Sequence, residues 1–377
     1  MTPFPPPETA HLTRAIAAAG LVGAPADPFP TRPLDAGAWR NLVTSVQLNR
    51  VTGLLAAVVH DARLPSTAAQ RDEVMQLHAE MMGICLRLES DLLEVTALLE
   101  SAGVQTIVLK GPSFAHLDYE RPDLRFFGDI DLLVRGEHFD SASDTLVASG
   151  FQRRFREVRP RFDGRFGKGA SFTGASGREV DVHRTFVMGP FGLQIQLGPL
   201  WDAGGQHFQL AGRRLRALDH EGRFLHACYH AALGKQEPQL VPLRDLAGML
   251  ERASDLDAER WVRRATSWNG LSVIARAVAT AWSTLALSPT ALSVWARSYR
   301  PTASERRALR TYLDPRMGYA ARSVVALSVV PGLSNKLAFG YAMLVPDSEF
   351  GSGRHGGRMK RIAHAGREVA VLVRGPR

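Results

Sequence analysis

The chain has 377 residues, 45% of them apolar and 22% charged, a composition that can bury a core and excludes a disordered or low-complexity protein. Its two cysteines, Cys85 and Cys228, exclude a disulfide scaffold or a cysteine-ligated zinc cluster. The formal charge of +9 is concentrated at one end: residues 353–377 carry seven Lys/Arg against Glu368 alone, so the body is only mildly basic, and the tail reads either as a solubilising end or as an arm for RNA or an acidic partner, with no recognition motif beside it.

Residues 1–8 are expected to be disordered, and a proline-rich linkage covers 24–33. The proline-rich start lacks the basic residues and apolar run of a secretory signal. Apolar recurrence at helical spacing predicts helices over 42–61 and 67–102, the second long enough to cross a sheet. Both cysteines fall in such apolar helical patterns and read as buried thiols, which suits a reducing cytoplasm.

Residues 106–110 form an apolar strand that breaks at Gly111-Pro112-Ser113 and restarts as a short helix over 114–119. A strand, a glycine turn and a helix start bring backbone N–H groups and the Ser113 hydroxyl to a place where a phosphate can be held, with Lys110 adding a charge at the rim. In the loop that follows, the guanidinium forks of Arg121 and Arg125 match phosphate oxygens, and both side chains suit an ordinary solvated loop equally well.

The most informative stretches are 128–134 and 179–183. In a strand, residues two apart share a face, so Asp129 and Asp131 project together while Ile130 and Leu132 face a core; Asp181, between Val180 and Val182, reads the same way. A lone pair of this kind is also what a half-exposed edge strand looks like, and the glycine turn upstream and the third aspartate downstream argue for a site. Three carboxylates at one spot repel each other and are costly to desolvate, which a divalent cation would offset, and this points to Mg²⁺-dependent chemistry on phosphate. His183 shares the Asp181 face and reads as a hydrogen-bond partner for a carboxylate.

Between these strands a helix is predicted over 137–149 and strands over 151–156 and 170–174. Helices follow over 222–233, 241–252, 257–267 and 272–285. His226 and His230 stand at i, i+4, but no glutamate follows His226; the zinc-protease reading fails, leaving helix packing or the lining of a cleft. The most apolar stretch, 323–344, is broken by Pro331, Gly332, Asn335 and Lys336, so no membrane span is expected.

Taken in order, the Lys110-Gly111-x-Ser113 turn, the arginine loop, Asp129-Ile130-Asp131-Leu132-Leu133-Val134, a helix ending at Gly150-Phe151 and Val180-Asp181-Val182-His183 resemble the uncharacterised nucleotidyltransferase group of the polymerase-β-like superfamily. The likeness runs from about residue 79 to 219 and continues into 220–250. It implies an α+β fold, a small mixed sheet flanked by N-terminal and C-terminal helical regions. Asp129 and Asp131 would be the metal-binding pair, Asp181 the third carboxylate, and Gly111 and Ser113 the phosphate turn, here split by Pro112. The expected divisions are 1–102 (helical), 103–218 (catalytic core), 219–352 (helical) and 353–377 (basic tail).

The reaction expected is transfer of a nucleoside monophosphate from an NTP to a small molecule, RNA or protein acceptor, with two Mg²⁺ ions and release of pyrophosphate. RNA is possible, though no recognition motif indicates it. Leu132 and Leu133 after the second aspartate argue against a dehalogenase-type phosphatase, while metal-dependent glycosyl transfer stays open as motif overlap. The alternative of another class is a catalytically inactive binding or regulatory module on the same fold.

Overall fold

Polar side chains placed just ahead of apolar periodic runs set the helix starts. Asp35 accepts from the Gly37 and Ala38 amides to begin α2 (Ala36–Leu48), which follows α1 (Pro7–Ala18). Thr67 and Gln70 form a reciprocal capping box at the head of α4 (Ala68–Ser101). The helix predicted over 42–61 is two helices, because Arg50 takes a left-handed backbone (φ 60°) between α2 and α3 (Thr52–His60). Gly53 in α3 lies against the 122–124 turn so closely that a Cβ would fall 2.4 Å from the Asp123 carbonyl oxygen.

The fold comes from a computed structural model that describes residues 7–26, 28–175, 177–234, 239–347 and 367–368. The expected disorder over 1–8 and the basic tail over 353–377 lie, apart from residues 7–8 and 367–368, outside the described residues.

Seven strands form one mixed sheet: β1 (Ile107–Val108), β2 (Ile130–Leu133), β3 (Gln152–Arg153), β4 (Gly169–Thr173), β5 (Glu179–His183), β6 (Gln206–Leu210) and β7 (Arg213–Ala217), in the spatial order β3-β4-β5-β2-β1-β7-β6. Two pairs are parallel, β2 with β5 and β1 with β7, and the remainder are antiparallel. The β6–β7 hairpin was not predicted. Its signal was the alternation of Phe208 and Leu210, then Leu215 and Ala217, around the two-residue turn Ala211-Gly212, both at positive φ.

Four helices interleave with the strands: α5 (Pro112–Asp118), α6 (Phe139–Ala148), α7 (Phe162–Arg165) and α8 (Gly198–Asp202). Val108, Ile130, Leu132, Phe172, Val180 and Val182 pack in one apolar cluster with Leu92, Val95 and Leu99 of α4 and Leu146 of α6. Alternation therefore sends the side chains of Asp131, Asp181 and His183 to the other face of the sheet.

The helices after the sheet are α9 (His220–Leu233), α10 (Leu240–Glu251), α11 (Asp255–Ser267), α12 (Leu271–Thr284), α13 (Ala291–Ser298), α14 (Ala303–Leu313), α15 (Tyr319–Val329) and α16 (Leu333–Leu344). Ile16, Leu42 and Leu55 from the N-terminal helices share a continuous core with Phe224, Leu246 and Val278. A smaller cluster joins Phe162 and Phe166 to Ala326 and Phe339 of α15 and α16. Both cysteines are free and buried. Among the described residues, no helix is long and apolar enough to cross a membrane.

Candidate functional site

The centre of the site follows from strand register. β2 and β5 run parallel with Asp131 opposite Asp181 and Leu133 opposite His183, so the two carboxylates stand side by side on one face. Lys110, two residues beyond β1, places its ammonium 2.6 Å from Asp131 Oδ2 and 3.0 Å from Asp129 Oδ2. On the other side of Asp131, His183 Nε2 lies 2.8 Å from Oδ1. Asp131 is 2% exposed, whereas Asp129 and Asp181 are half-buried.

Charge balance fixes the protonation states. Burial opposes ionisation of Asp131, yet Lys110 and the His183 hydrogen bond hold its carboxyl well below the usual carboxylate range. The same carboxylates outweigh burial at Lys110 and raise its pKa. Burial, helped by the nearby Lys168 ammonium, lowers His183, so its ring is neutral at pH 7. A neutral ring beside an ionised carboxylate donates from Nε2, which leaves a lone pair on Nδ1; Nδ1 is buried and has no hydrogen-bond partner among the described residues.

The repulsion expected among three aspartates is therefore met partly by the protein's own lysine. Asp131, Asp181 and His183 each offer a ligand atom, and these atoms lie within 4.8 Å of one another. Asp129 is outside this group, its carboxylate drawn to Lys110. The carboxylate oxygens of Asp131 and Asp181 fit a divalent cation, and the His183 ring stands beside them with Nε2 on Asp131.

The turn after β1 is tightly fitted beneath the Asp129 loop. Gly111 has φ 62°, and a Cβ there would meet Phe127 Cβ at 3.3 Å and the Asp129 carbonyl at 3.6 Å. Pro112 occupies the first turn of α5, where its missing N–H costs nothing. Ser113 is 0% exposed, and its hydroxyl has no partner among the described residues, which is unusual for a buried hydroxyl.

The structure does not bring Arg121 and Arg125 into this cluster. Arg121 is exposed, its Nε and Nη2 bonded to Asp123. Arg125 is buried and forks onto Asp245 of α10, with Nε to Oδ1 at 3.2 Å and Nη2 to Oδ2 at 2.7 Å, while Nη1 donates to the Phe126 carbonyl. It ties the loop ahead of β2 to the helical body. His226 is buried and His230 half-buried on α9, with ring centroids 6.4 Å apart. Burial takes His226 down to about 3 and His230 well below the usual range, and both rings sense the charges of Lys110, Asp131 and Lys168. They form a neutral wall to the cluster, and the His226 Nδ1 has no partner.

Sequence reasoning missed Lys168. It precedes β4, is half-buried, and interacts electrostatically with Asp131, Asp181 and Asp129, while burial lowers its pKa. Its signal was a lysine between Gly167 and Gly169, and a Cβ at Gly169 would fall 2.1 Å from the Val182 carbonyl, so β4 can approach β5 only as glycine. Lys168 and Ser171 also line a cavity of about 350 Å³ to which α15 and α16 contribute wall residues.

Asp163 lies in that cavity wall. Burial, reinforced by Glu157 and opposed by Arg153, pushes its carboxyl up to about 6. A raised carboxyl binds its proton more tightly in the folded state, so this group lowers stability as pH rises from about 4 to 6. The expected contribution is on the order of 1–2 kcal/mol, after discounting for partial solvent access. Urea denaturation of wild type and Asp163→Asn across pH 4–7 checks it: the difference between the two curves should change over that window, and a flat difference refutes the assignment.

No curated protein matches the chain. Among solved structures it is similar to an antigenic nucleotidyltransferase-like protein from Paracoccidioides brasiliensis, at 14% identity with a TM-score of 0.32, over 55% of this chain and 96% of that one. Residues 35–285 match the family described as uncharacterised nucleotidyltransferase, and the chain therefore belongs to that family.

Proposed function

We propose that this protein is a Mg²⁺-dependent nucleotidyltransferase that moves a nucleoside monophosphate from an NTP to an acceptor hydroxyl and releases pyrophosphate. The observation that carries the reading is the register of Asp131 with Asp181 on adjacent parallel strands, with Lys110 closing on Asp131 from the β1 side. Family membership agrees with it.

Asp131 and Asp181 would hold Mg²⁺, with His183 orienting the Asp131 carboxylate through its Nε2 hydrogen bond, and Asp129 would join them once Lys110 turns to phosphate. When bound, the metal supplies positive charge for the phosphate oxygens and acidifies the attacking hydroxyl. The chain's own groups do the rest. Gly111 and Ser113 would receive the triphosphate, the Ser113 hydroxyl bonding a phosphate oxygen and Lys110 neutralising its charge. The acceptor oxygen forms its bond to the α-phosphorus as the bond to the bridging oxygen breaks, and that electron pair leaves with pyrophosphate. Asp181, the more open of the two registered carboxylates, takes the hydroxyl proton. His226 and His230, uncharged, wall the site without adding a competing cation.

A second reading has one observation in its favour. Lys110 already bridges Asp129 and Asp131, as it would in a fold kept for binding rather than turnover. Incubation with each α-labelled NTP, Mg²⁺ and cell extract separates the two. Label transfer with pyrophosphate release, lost in Asp131→Ala, is the expected result. NTP binding with neither labelled product nor pyrophosphate would select the binding module.

A further inference from the structure

The cavity beside Lys168 has a position that the sheet order makes meaningful. Across the sheet from β1 to β4 come the Gly111–Ser113 turn, then Asp131 on β2, Asp181 on β5, and the cavity against β4. Ser171 is the cross-strand partner of Asp181, so its side chain shares the Asp181 face and reaches the cavity from there. Lys168 belongs to both places, lining the cavity and interacting with Asp131 and Asp181. Lys168 and Ser171 thus link the cavity to the carboxylates on the side opposite the turn.

Its chemistry is aromatic. Phe162, Phe166 and Phe339 meet with centroids 5.4–5.7 Å apart, and Met188, Leu193 and Ala326 extend the apolar wall. Charged groups of the wall have partners within the protein. Arg322 donates to the Thr311 carbonyl, Asp163 is paired with Arg153, and Glu157 accepts from the Asp163 amide. What remains for a guest is a ring-lined surface with Lys168 and Ser171 at its inner end. The volume of about 350 Å³ lies at the small end of the range for ligand pockets, enough for a molecule of one or two rings and too small for a folded partner or an RNA duplex.

We infer that this cavity is the acceptor subsite, and that the acceptor is a small molecule with an apolar, ring-bearing body and a hydroxyl presented to Asp181. The inference rests on the nucleotidyltransferase reading and narrows its acceptor. In-line attack explains why the two substrates sit apart: the triphosphate enters from the β1 side, and the attacking oxygen must approach from the other.

The test uses the full-length protein, 2-(1-naphthyl)ethanol as a hydroxylated ring probe, and calorimetric titration of ATP, GTP, CTP and UTP with Mg²⁺. Ala326→Trp fills the cavity from α15, and Ser323→Trp does so from a half-buried position that tolerates bulk, in case the first variant fails to fold. The expected result is probe binding by ligand-observed NMR that weakens at least tenfold in a folded variant, with NTP affinity unchanged within twofold. A parallel tenfold loss of NTP affinity would make the cavity a nucleobase pocket and overturn the inference, as would absence of probe binding to wild type. Failure of wild type to bind any NTP would instead remove the nucleotidyltransferase reading, and the acceptor assignment with it.

Discussion

Asp131→Ala should lower nucleotidyl transfer by at least about 10²–10³-fold, the scale on which a single preorganised charge acts in a transition state. The loss should appear mainly in kcat, because the proposed triphosphate turn at Gly111 and Ser113 is left intact. Asp131→Asn sharpens the result. The amide keeps the shape and can still accept from His183, and Lys110 retains Asp129, so the fold should survive while turnover falls as far as in the alanine variant. The acid limb of stability should move too. A carboxyl held below its unfolded value contributes stability that is present above about pH 4 and disappears as pH falls through the folded value; the asparagine variant lacks that contribution. Retention of more than a tenth of wild-type turnover in Asp131→Asn would remove this residue from the reaction.

Arg125→Ala is expected to be the most destabilising single change, at about 3–5 kcal/mol, because it leaves the Asp245 carboxylate buried without its cation. The side chains of Arg125 and Asp245 are 4% and 1% exposed, and the Tyr119 hydroxyl at 2.8 Å from Asp245 Oδ1 cannot replace a positive charge. Asp245→Ala should cost about as much, and the double variant less than the sum, since removing both charges leaves neither stranded. A urea titration of the four proteins gives the coupling. If Arg125→Ala instead kept its urea midpoint and lost NTP affinity, the guanidinium would belong to the phosphate site after all.

That pair illustrates which features the sequence made legible. The strands bearing Asp131 and Asp181 announce themselves by alternation, a local property, and β5 falls where it was predicted. Helices α4, α9, α10, α11 and α12 lie within two residues of their expected ends, because apolar recurrence at helical spacing is read from neighbours. Arg125 reads as a loop residue until Asp245, 120 positions later, is seen beside it. Lys168 joins the carboxylates only through the pairing of β4 with β5, and its flanking glycines hint at a close approach without naming the partner strand. The early break at Arg50 was equally hidden, since the apolar spacing continues through it. Local chemistry was readable; the long-range partners that give each charge its role were not.

The core that joins Ile16, Leu42 and Leu55 to Leu246 and Val278 has a consequence for biosynthesis. Helices α1 to α3 are synthesised some 200 residues ahead of burial partners such as Phe224 and Leu246, with the whole sheet between them. Part of their apolar stripe stays uncovered, a natural client for a chaperone, until α10, which packs on α1, has been made.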